Sequence, residues 1–164
     1  MFVFECRYSG SKPKRQICIA NTHVLANPAC RDVKMWQSWI LCEEISRALG
    51  RDLPLILCGD FNSEPSSAVY EYLTKGRVET NTYQLLQKDY EFNTDLRCIL
   101  PPRDNLRHRL GLKSHYNTGT GGREPLYTNY TVGYKGTLDY VLYSSKSMEA
   151  IGFLKVMFCG RLIL

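Results

Sequence analysis

The first half of the chain alternates between strand-like and helix-like patterns of hydrophobic residues. Two β-rich runs, Phe2 to Cys6 and Gln16 to Ala20, flank the basic turn Lys12-Pro13-Lys14-Arg15, which indicates a hairpin. From Arg31 to Leu49 the apolar residues recur near every 3.6 positions, so this segment is predicted to be a helix. Gly50 follows as a stop signal. We expect the apolar face of the helix to be buried against a sheet. Its positions are Val33, Trp36, Ile40, Leu41, Ile45, Ala48 and Leu49.

The second half combines short regular segments with a long stretch of weak periodicity. Leu53 to Cys58 is typical of a buried strand, and a short helix is predicted from Ser66 onwards. Residues 79–125 contain many turn formers, so we interpret them as a long loop with one short helix near Thr82 to Leu86. Strands with interposed helices favour an α/β sandwich whose loops form a site at one edge. Three more strands are predicted, at Leu126 to Tyr130, Leu138 to Tyr143 and Ile151 to Met157.

Length and composition predict one globular domain. The chain has 164 residues, of which 44% are hydrophobic and 23% are charged. No apolar stretch is long enough to span a bilayer, and the first residues do not form a signal peptide, so we expect a cytoplasmic protein with the nucleus as a second compartment. The seven cysteines are odd in number, irregularly spaced and contain no C-x-x-C motif, which argues against a disulfide framework and against zinc.

Positive charge is concentrated in the long loop. The whole chain carries a net charge of +5, and the segment from Arg97 to Arg123 has six cations against the single acid Asp104. A basic loop beside a site attracts polyanions such as RNA. The alternative is a solvated loop whose charges only maintain solubility, and the sequence leaves both interpretations open. We expect the two imidazoles of this loop, His108 and His115, to lie at the surface.

The segment Cys58-Gly59-Asp60-Phe61-Asn62-Ser63-Glu64-Pro65 carries the main chemical signal. It follows a buried strand and places Asp60 and Asn62 two positions apart, so both side chains can face one site while Phe61 packs the other way. A carboxylate can accept a proton from water, and an amide can donate to a phosphoryl oxygen. The alternative is an ordinary turn, since Gly, Asp, Asn, Ser and Pro are the residues that turns use.

Two further segments identify a family resemblance. Asn21-Thr22-His23 precedes this segment, and a second segment follows it, which runs from Thr128-Asn129-Tyr130-Thr131 to Gly136-Thr137-Leu138-Asp139-Tyr140-Val141. In this order the motifs resemble the endonuclease/exonuclease/phosphatase superfamily, in particular the branch of carbon catabolite repressor type deadenylases, nocturnin and angel. The resemblance covers Phe2 to Leu154. It implies a partial four-layer α/β sandwich over residues 1–157, with the basic loop at 79–125 and an atypical tail at 158–164.

The resemblance also implies a role for each matching residue. Asp60 would orient or deprotonate the attacking water, and Asn62 would contact the scissile phosphate. His23 would stabilise developing charge on the phosphate. Asp139 would hold a catalytic histidine or the metal environment. The implied cofactor is Mg²⁺, with Asp60 and Asp139 as its protein ligands, because Mg²⁺ takes one or two carboxylates plus water and phosphate. Asn21 would support the site.

Substrate contacts are expected from three other residues. By the resemblance, Pro28 and Tyr134 would enclose an adenine base, and stacking on a planar ring contributes on the order of 1–3 kcal/mol per base. Arg107 of the basic loop would contact RNA phosphates. The resemblance implies a Mg-dependent 3′-exoribonuclease that hydrolyses poly(A) to AMP, with RNA and a deadenylase complex as partners and no membrane or DNA. A 2′,5′-linked oligoadenylate and a dinucleotide phosphate remain open as substrates.

The chain also departs from the family pattern. The family's metal-binding Glu in an L-Q-E context and its catalytic His in an S-D-H segment have no counterpart in this sequence. Glu64 is a further carboxylate near the main motif, but we interpret it as an acid at the start of a helix. We therefore expect a truncated product with impaired catalysis. The alternative function is a noncatalytic RNA-binding or interaction fragment.

Overall fold

The computed structural model describes residues 2–6, 15–49, 53–88 and 99–152. Within these ranges the chain forms seven strands, four α-helices and one 3₁₀ turn at Arg103–Asn105. The strands are β1 Phe2–Cys6, β2 Arg15–His23, β3 Leu55–Asp60, β4 Leu112–Ser114, β5 Asn129–Tyr130, β6 Lys135–Gly136 and β7 Asp139–Ser144. The helices are α1 Arg31–Leu49, α2 Ala68–Lys75, α3 Thr80–Lys88 and α4 His115–Gly119.

Five strands form one mixed sheet in the order β1-β2-β3-β7-β4. β2 and β3 are parallel, whereas β1 pairs with β2, and β7 pairs with β3 and with β4, in antiparallel orientation. The parallel pair requires a crossover, and α1 supplies it. β5 and β6 form a separate two-stranded hairpin. The predicted α/β architecture is therefore confirmed.

The core lies between one face of the sheet and the helices. Alternate residues of the strands point to this face and are buried, while the intervening residues point to the other face. The sheet contributes Cys18, Ala20, Leu55, Leu57, Tyr140 and Leu142 to the core, and the helices contribute Met35, Cys42, Ile45, Val69, Tyr72 and Leu73.

The predicted buried face of α1 is correct at Ile45 but wrong at Trp36. Trp36 is 38% exposed, and Ile40 is only half-buried. Apolar residues occur on almost every side of this helix, so their spacing does not single out one face. The face that is buried includes two small side chains, Ser38 and Cys42. The buried apolar residues of this face are Met35, Cys42 and Ile45, and Ser38 is buried with them.

The segment from residue 79 to 125 contains more regular structure than its sequence suggests. The predicted short helix exists as α3, and β4 and α4 were not predicted. β4 has three residues, too few for an alternating pattern, and extends the sheet by pairing with β7. The strand predicted from Leu126 shortens to β5. Ile151 is not in a strand, and the rest of that predicted strand lies outside the described residues.

Helix α2 is capped at both ends and supports His108. The Ser67 hydroxyl accepts a hydrogen bond from the Tyr70 N–H at 3.2 Å, and Gly76 ends the helix in the left-handed region with φ 73°. His108 is half-buried, which corrects the expectation of a surface imidazole. Its Nε2 lies 2.9 Å from the Tyr72 main-chain oxygen, and the two rings meet edge to face.

Two general expectations can be compared with the described part of the chain. Cys18, Cys30, Cys42 and Cys58 carry free thiols, and Cys18 and Cys42 are fully buried as small hydrophobic residues. Among the helices described, none combines the length and the apolar character needed to cross a membrane.

Candidate active site

Three adjacent strands of the sheet bring the polar motifs together. His23 of β2 is the register partner of Asp60 in β3, and Asp60 is the register partner of Asp139 in β7. Register partners present their side chains on the same face of a sheet. Asn21 lies two positions before His23 and so shares this face. The structure therefore places these four side chains on the face opposite the helices.

The contacts at this face are polar and partly open to solvent. His23 Nε2 lies 3.8 Å from Asp60 Oδ2, with the imidazole 72% and the carboxylate 29% exposed. The Thr128 hydroxyl donates a 2.7 Å hydrogen bond to Asp139 Oδ2. Asn21 Nδ2 donates to the Cys58 sulfur at 3.5 Å. Asp139 is thus fixed by a neighbouring side chain, and the Asn21 amide contacts the adjacent strand at Cys58.

Gly59 allows β2 and β3 to approach each other at the site. Its φ of 142° lies in a region that side chains rarely adopt. A Cβ at this position would lie 1.9 Å from the main-chain oxygen of Thr22, its register partner. Only glycine therefore fits at this position, which pairs with Thr22 and directly precedes Asp60.

Asn62 occupies a tight turn directly after β3. Its φ is 46°, the only positive φ of a non-glycine residue in the described part of the chain. Its main-chain N–H donates to Asp60 Oδ1 at 2.8 Å, and its Nδ2 donates to the main-chain oxygen of Val24 at 2.8 Å. Lys34 Nζ donates to the Asn62 main-chain oxygen at 2.7 Å. The segment is therefore an Asx turn, and it also holds the amide beside the carboxylate.

A cavity of about 680 Å³ adjoins this turn. It lies between the segment before α1, the N-terminal end of α2, helix α3 and the β5–β6 hairpin, and we call it the turn pocket. Pro28, Asn62 and Tyr134 all line it, so the structure brings together the two residues expected to enclose a base. Its lining residues are Ala26, Pro28, Arg31, Lys34, Asn62, Ser63, Glu64, Ser66, Ser67, Ala68, Val69, Thr82, Leu86, Asn129, Thr131, Tyr134 and Leu138.

Tyr134 is held across the hairpin by two features. Its hydroxyl donates to Glu64 Oε1 at 2.8 Å. Its ring packs so closely on Gly136 that a Cβ there would lie 2.2 Å from the hydroxyl oxygen. Burial and the hydrogen bond to Glu64 raise the pKa of Tyr134 to about 12. Glu64 therefore orients the aromatic ring, and the helix start is provided by Ser67 instead of Glu64.

Arg107 is not brought to the site. It follows the 3₁₀ turn and lies within 3.6 Å of Asp104 Oδ1. It also forms an isolated bridge with Arg77, next to the C-terminal end of α2. The pocket adjoins the opposite end of this eight-residue helix, about 12 Å away at 1.5 Å per residue.

Three supporting residues of the site, Lys34, Glu64 and Thr128, were not predicted. Lys34 lies on a helix, where a lysine normally faces solvent, and Glu64 looked like a helix-start acid. Thr128 occurs in the recognised Thr128-Asn129-Tyr130-Thr131 motif but had no assigned role. Only its position in that motif could have drawn attention to it.

The donor set fits a hard divalent cation only in part. Asp60 and Asp139 offer two carboxylates on adjacent strands, which suits Mg²⁺ because it prefers oxygen ligands. The contacts of Asn62 and Thr128 each occupy one oxygen of these carboxylates. Among the residues described, no group of three or more His, Cys, Asp and Glu side chains is arranged to hold a metal ion.

The strand order, the three motifs and their common face agree with the family that the sequence resembles. The model of the Endonuclease/Exonuclease/phosphatase family matches residues 12–160, and the chain belongs to this family. The Carbon catabolite repressor protein 4 homolog 1 of Arabidopsis thaliana is 34% identical over 88% of this chain and 26% of its own length. The CCR4-Not complex 3'-5'-exoribonuclease subunit Ccr4 of Phaeosphaeria nodorum is 31% identical over 92% of this chain and 30% of its own length.

Solved structures give the same result. ANGEL2, a 2',3'-cyclic phosphatase, superposes with a TM-score of 0.61 at 28% identity, over 80% of this chain and 46% of its own. It has also been solved with adenosine-2',3'-vanadate, with a TM-score of 0.59 at 27% identity, over 87% and 48% of the two chains. The human Nocturnin catalytic domain with bound sulfate has a TM-score of 0.57 at 29% identity, over 87% and 39%. The resemblance to this branch is confirmed, and the chain spans less than a third of the curated relatives' length.

Proposed function

We propose that this chain carries the nucleotide-binding part of a Mg-dependent 3′-exoribonuclease of the deadenylase type. It binds the 3′-terminal adenosine of poly(A) in the turn pocket and presents the phosphodiester to the polar face of the sheet. The observation that carries the proposal is the register of His23, Asp60 and Asp139 next to a pocket lined by Pro28 and Tyr134. The Ccr4 relative described as an exoribonuclease and the adenosine-vanadate bound to ANGEL2 support the same chemistry.

The geometry assigns a task to each polar side chain. Asp60 Oδ1 is occupied by the Asn62 N–H, so Oδ2 is the oxygen that can accept a proton from water. The Asn62 amide has two N–H groups, of which Val24 takes one, and the second can donate to a phosphoryl oxygen. His23 is exposed and close to Asp60, and can donate to the same phosphate.

The two carboxylates Asp60 and Asp139 would hold Mg²⁺. When bound, the cation would offset the negative charge that develops on the phosphoryl oxygens. Two carboxylates make a sparse protein ligand set, so we propose that this chain by itself turns over slowly. The hydrogen bond from Thr128 would orient Asp139 for this role.

Base selection would come from the pocket. Pro28 and Tyr134 offer flat apolar surfaces for stacking, which every base can use. The polar groups that also line the pocket, including Glu64, Asn129 and Thr131, are the ones able to distinguish adenine from other bases. The wider partners that we propose are RNA and a deadenylase complex, since one relative is named as a CCR4-Not subunit. We further propose a cytoplasmic location, with the nucleus as a second compartment.

The test combines RNA binding with turnover. A labelled oligoadenylate and oligouridylate of equal length are titrated with the protein, and the oligoadenylate is then incubated with Mg²⁺ or with EDTA. We expect preferential binding of oligoadenylate and slow, Mg-dependent release of AMP that Asp60→Ala abolishes. Asp104→Ala is the matched control, because this aspartate is 74% exposed and pairs with surface arginines.

Three outcomes would change the proposal. Trimming that persists in Asp60→Ala would contradict the assigned site, and fast trimming by the unaltered chain would contradict slow turnover. Binding without any trimming would favour the alternative of a noncatalytic RNA-binding fragment. That alternative is supported by the absence, within the described ranges, of a cluster of three metal-binding side chains. A substrate panel with 2′,5′-linked, 2′,3′-cyclic and dinucleotide phosphates identifies the preferred phosphate.

A further inference from the structure

Lys34 of α1 is a buried lysine beside the site. It is only 6% exposed, whereas lysine is almost never buried unless its charge has a partner. Its Nζ donates a 2.7 Å hydrogen bond to the main-chain oxygen of Asn62, 28 positions further along the chain. Burial lowers the pKa of Lys34, while the Cys30 thiol and the Asp60 carboxylate raise it. The ammonium group therefore lies in the electrostatic field of the site.

The partner of Lys34 has an unusual backbone. Asn62 has a φ of 46°, in the left-handed region that few non-glycine residues adopt, although Asn enters it more readily than most. Such a conformation persists only where the surroundings hold it. Asn62 is held by three contacts: its N–H donates to Asp60, its side-chain amide donates to Val24, and its main-chain oxygen accepts from Lys34. Lys34 supplies the only charged donor of the three.

A second residue on α1 supports the neighbouring segment. Gln37 lies three positions after Lys34, so both project from one side of the helix. Its Oε1 accepts a 3.0 Å hydrogen bond from the Leu25 N–H. Leu25 directly follows Val24, whose main-chain oxygen accepts the hydrogen bond from the Asn62 side-chain amide. One side of α1 thus fixes both segments that meet at Asn62.

We propose that Lys34 is a positioning residue, which holds Asn62 and Asp60 in the arrangement that binds the phosphate of a nucleotide. The inference rests on the proposed function for the identity of the ligand, but the positioning itself is a property of the ligand-free protein. Lys34 also lines the turn pocket beside Asn62, and its hydrogen bond goes to Asn62, the residue whose amide would contact the phosphate. Loss of this ammonium group should therefore affect a phosphate more than a base.

The first measurement compares two ligands that differ only in the phosphate. AMP and adenosine are titrated calorimetrically into the unaltered protein and into Lys34→Met, which keeps most of the side-chain length and removes the charged donor. We expect the Kd for AMP to rise about tenfold, as for loss of a hydrogen bond from a charged group, and the Kd for adenosine to change less than twofold. Lys75→Met is the matched control, because Lys75 is exposed and pairs with Glu71.

The second measurement needs no ligand. Hydrogen exchange of the Asn62 main-chain amide, which is bonded to Asp60, should become about tenfold faster in Lys34→Met. Exchange of the Gly76 amide, bonded to Tyr72 at the end of α2, should not change.

The outcomes separate the inference from the proposed function. Equal weakening of AMP and adenosine, or faster exchange at Gly76 as well as Asn62, would show a general structural role and overturn the inference. Unchanged exchange at Asn62 would also overturn it. An unaltered protein that binds neither ligand would contradict the proposed function, and the exchange rates would then decide the role of Lys34 alone.

Discussion

Replacement of Gly59 by alanine tests the strand register that builds the site. The added Cβ would lie 1.9 Å from the Thr22 oxygen and 2.9 Å from its carbonyl carbon and nitrogen. These are main-chain atoms, so no side chain can rotate to make room. The backbone φ of 142° adds strain of about 1–3 kcal/mol for any residue with a side chain.

The expected loss of stability follows from these two contributions. Overpacking of a close contact costs about 1–3 kcal/mol, so Gly59→Ala should reduce the free energy of unfolding by about 2–6 kcal/mol in total. At about 2–4 °C per kcal/mol for a domain of this size, the Tm should fall by roughly 5–20 °C. Separation of β2 from β3 at this point should also move His23 away from Asp60 and weaken AMP binding.

The assay is thermal and chemical unfolding followed by circular dichroism. Gly133→Ala is the control, because a Cβ there has no heavy atom within 4 Å, and it should leave stability unchanged within about 0.5 kcal/mol. If Gly59→Ala reduces the free energy of unfolding by less than about 1 kcal/mol, the loss for one ordinary substitution, the close approach of β2 and β3 is refuted.

Two further predictions concern binding and pH. Tyr134→Ala should weaken oligoadenylate binding about 5- to 150-fold at any salt concentration, because stacking contributes about 1–3 kcal/mol. Arg107→Ala should leave AMP binding unchanged and should weaken the binding of long RNA only at low salt. Fluorescence anisotropy measures both effects, and equal salt dependence of RNA binding in the two variants would contradict this prediction. Burial lowers the pKa of His108 below its usual value of 6.5, so folding favours the neutral imidazole. The free energy of unfolding should therefore be undiminished above pH 6.5 and should decline as the pH falls below it. Denaturant unfolding of His108→Gln should lack most of this decline, and an unchanged pH profile would argue against the burial of His108.

The strands at the site could be predicted because two features of their sequence indicate the same boundaries. β2, β3 and β7 are apolar runs that end at or begin with a polar motif residue, so burial and chemistry point to the same boundaries. The orientation of α1 could not be predicted in this way, since Trp36 and Ile40 are as apolar as the residues that are buried. The buried face of α1 includes the small side chains Ser38 and Cys42, which hydrophobic periodicity does not weight.

The candidate site could be predicted only for residues that belong to motifs. Pairing of His23, Asp60 and Asp139 depends on strand register, which the motif order suggested and the sheet provides. Lys34 and Glu64 depend on long-range contacts, 28 and 70 positions apart in the chain. A lysine on a helix and an acid before a helix have common local explanations, so local sequence gave no reason to choose the rarer ones.

The location of bound AMP tests the central claim most directly. AMP is titrated into isotopically labelled protein with Mg²⁺, and amide shifts are followed by heteronuclear NMR. We expect saturable shifts at Asn62 and Tyr134 and at the His23 end of β2, with none at Arg107 beyond the opposite end of α2. Saturable shifts confined to the Arg107 region, or none at any AMP concentration, would contradict it.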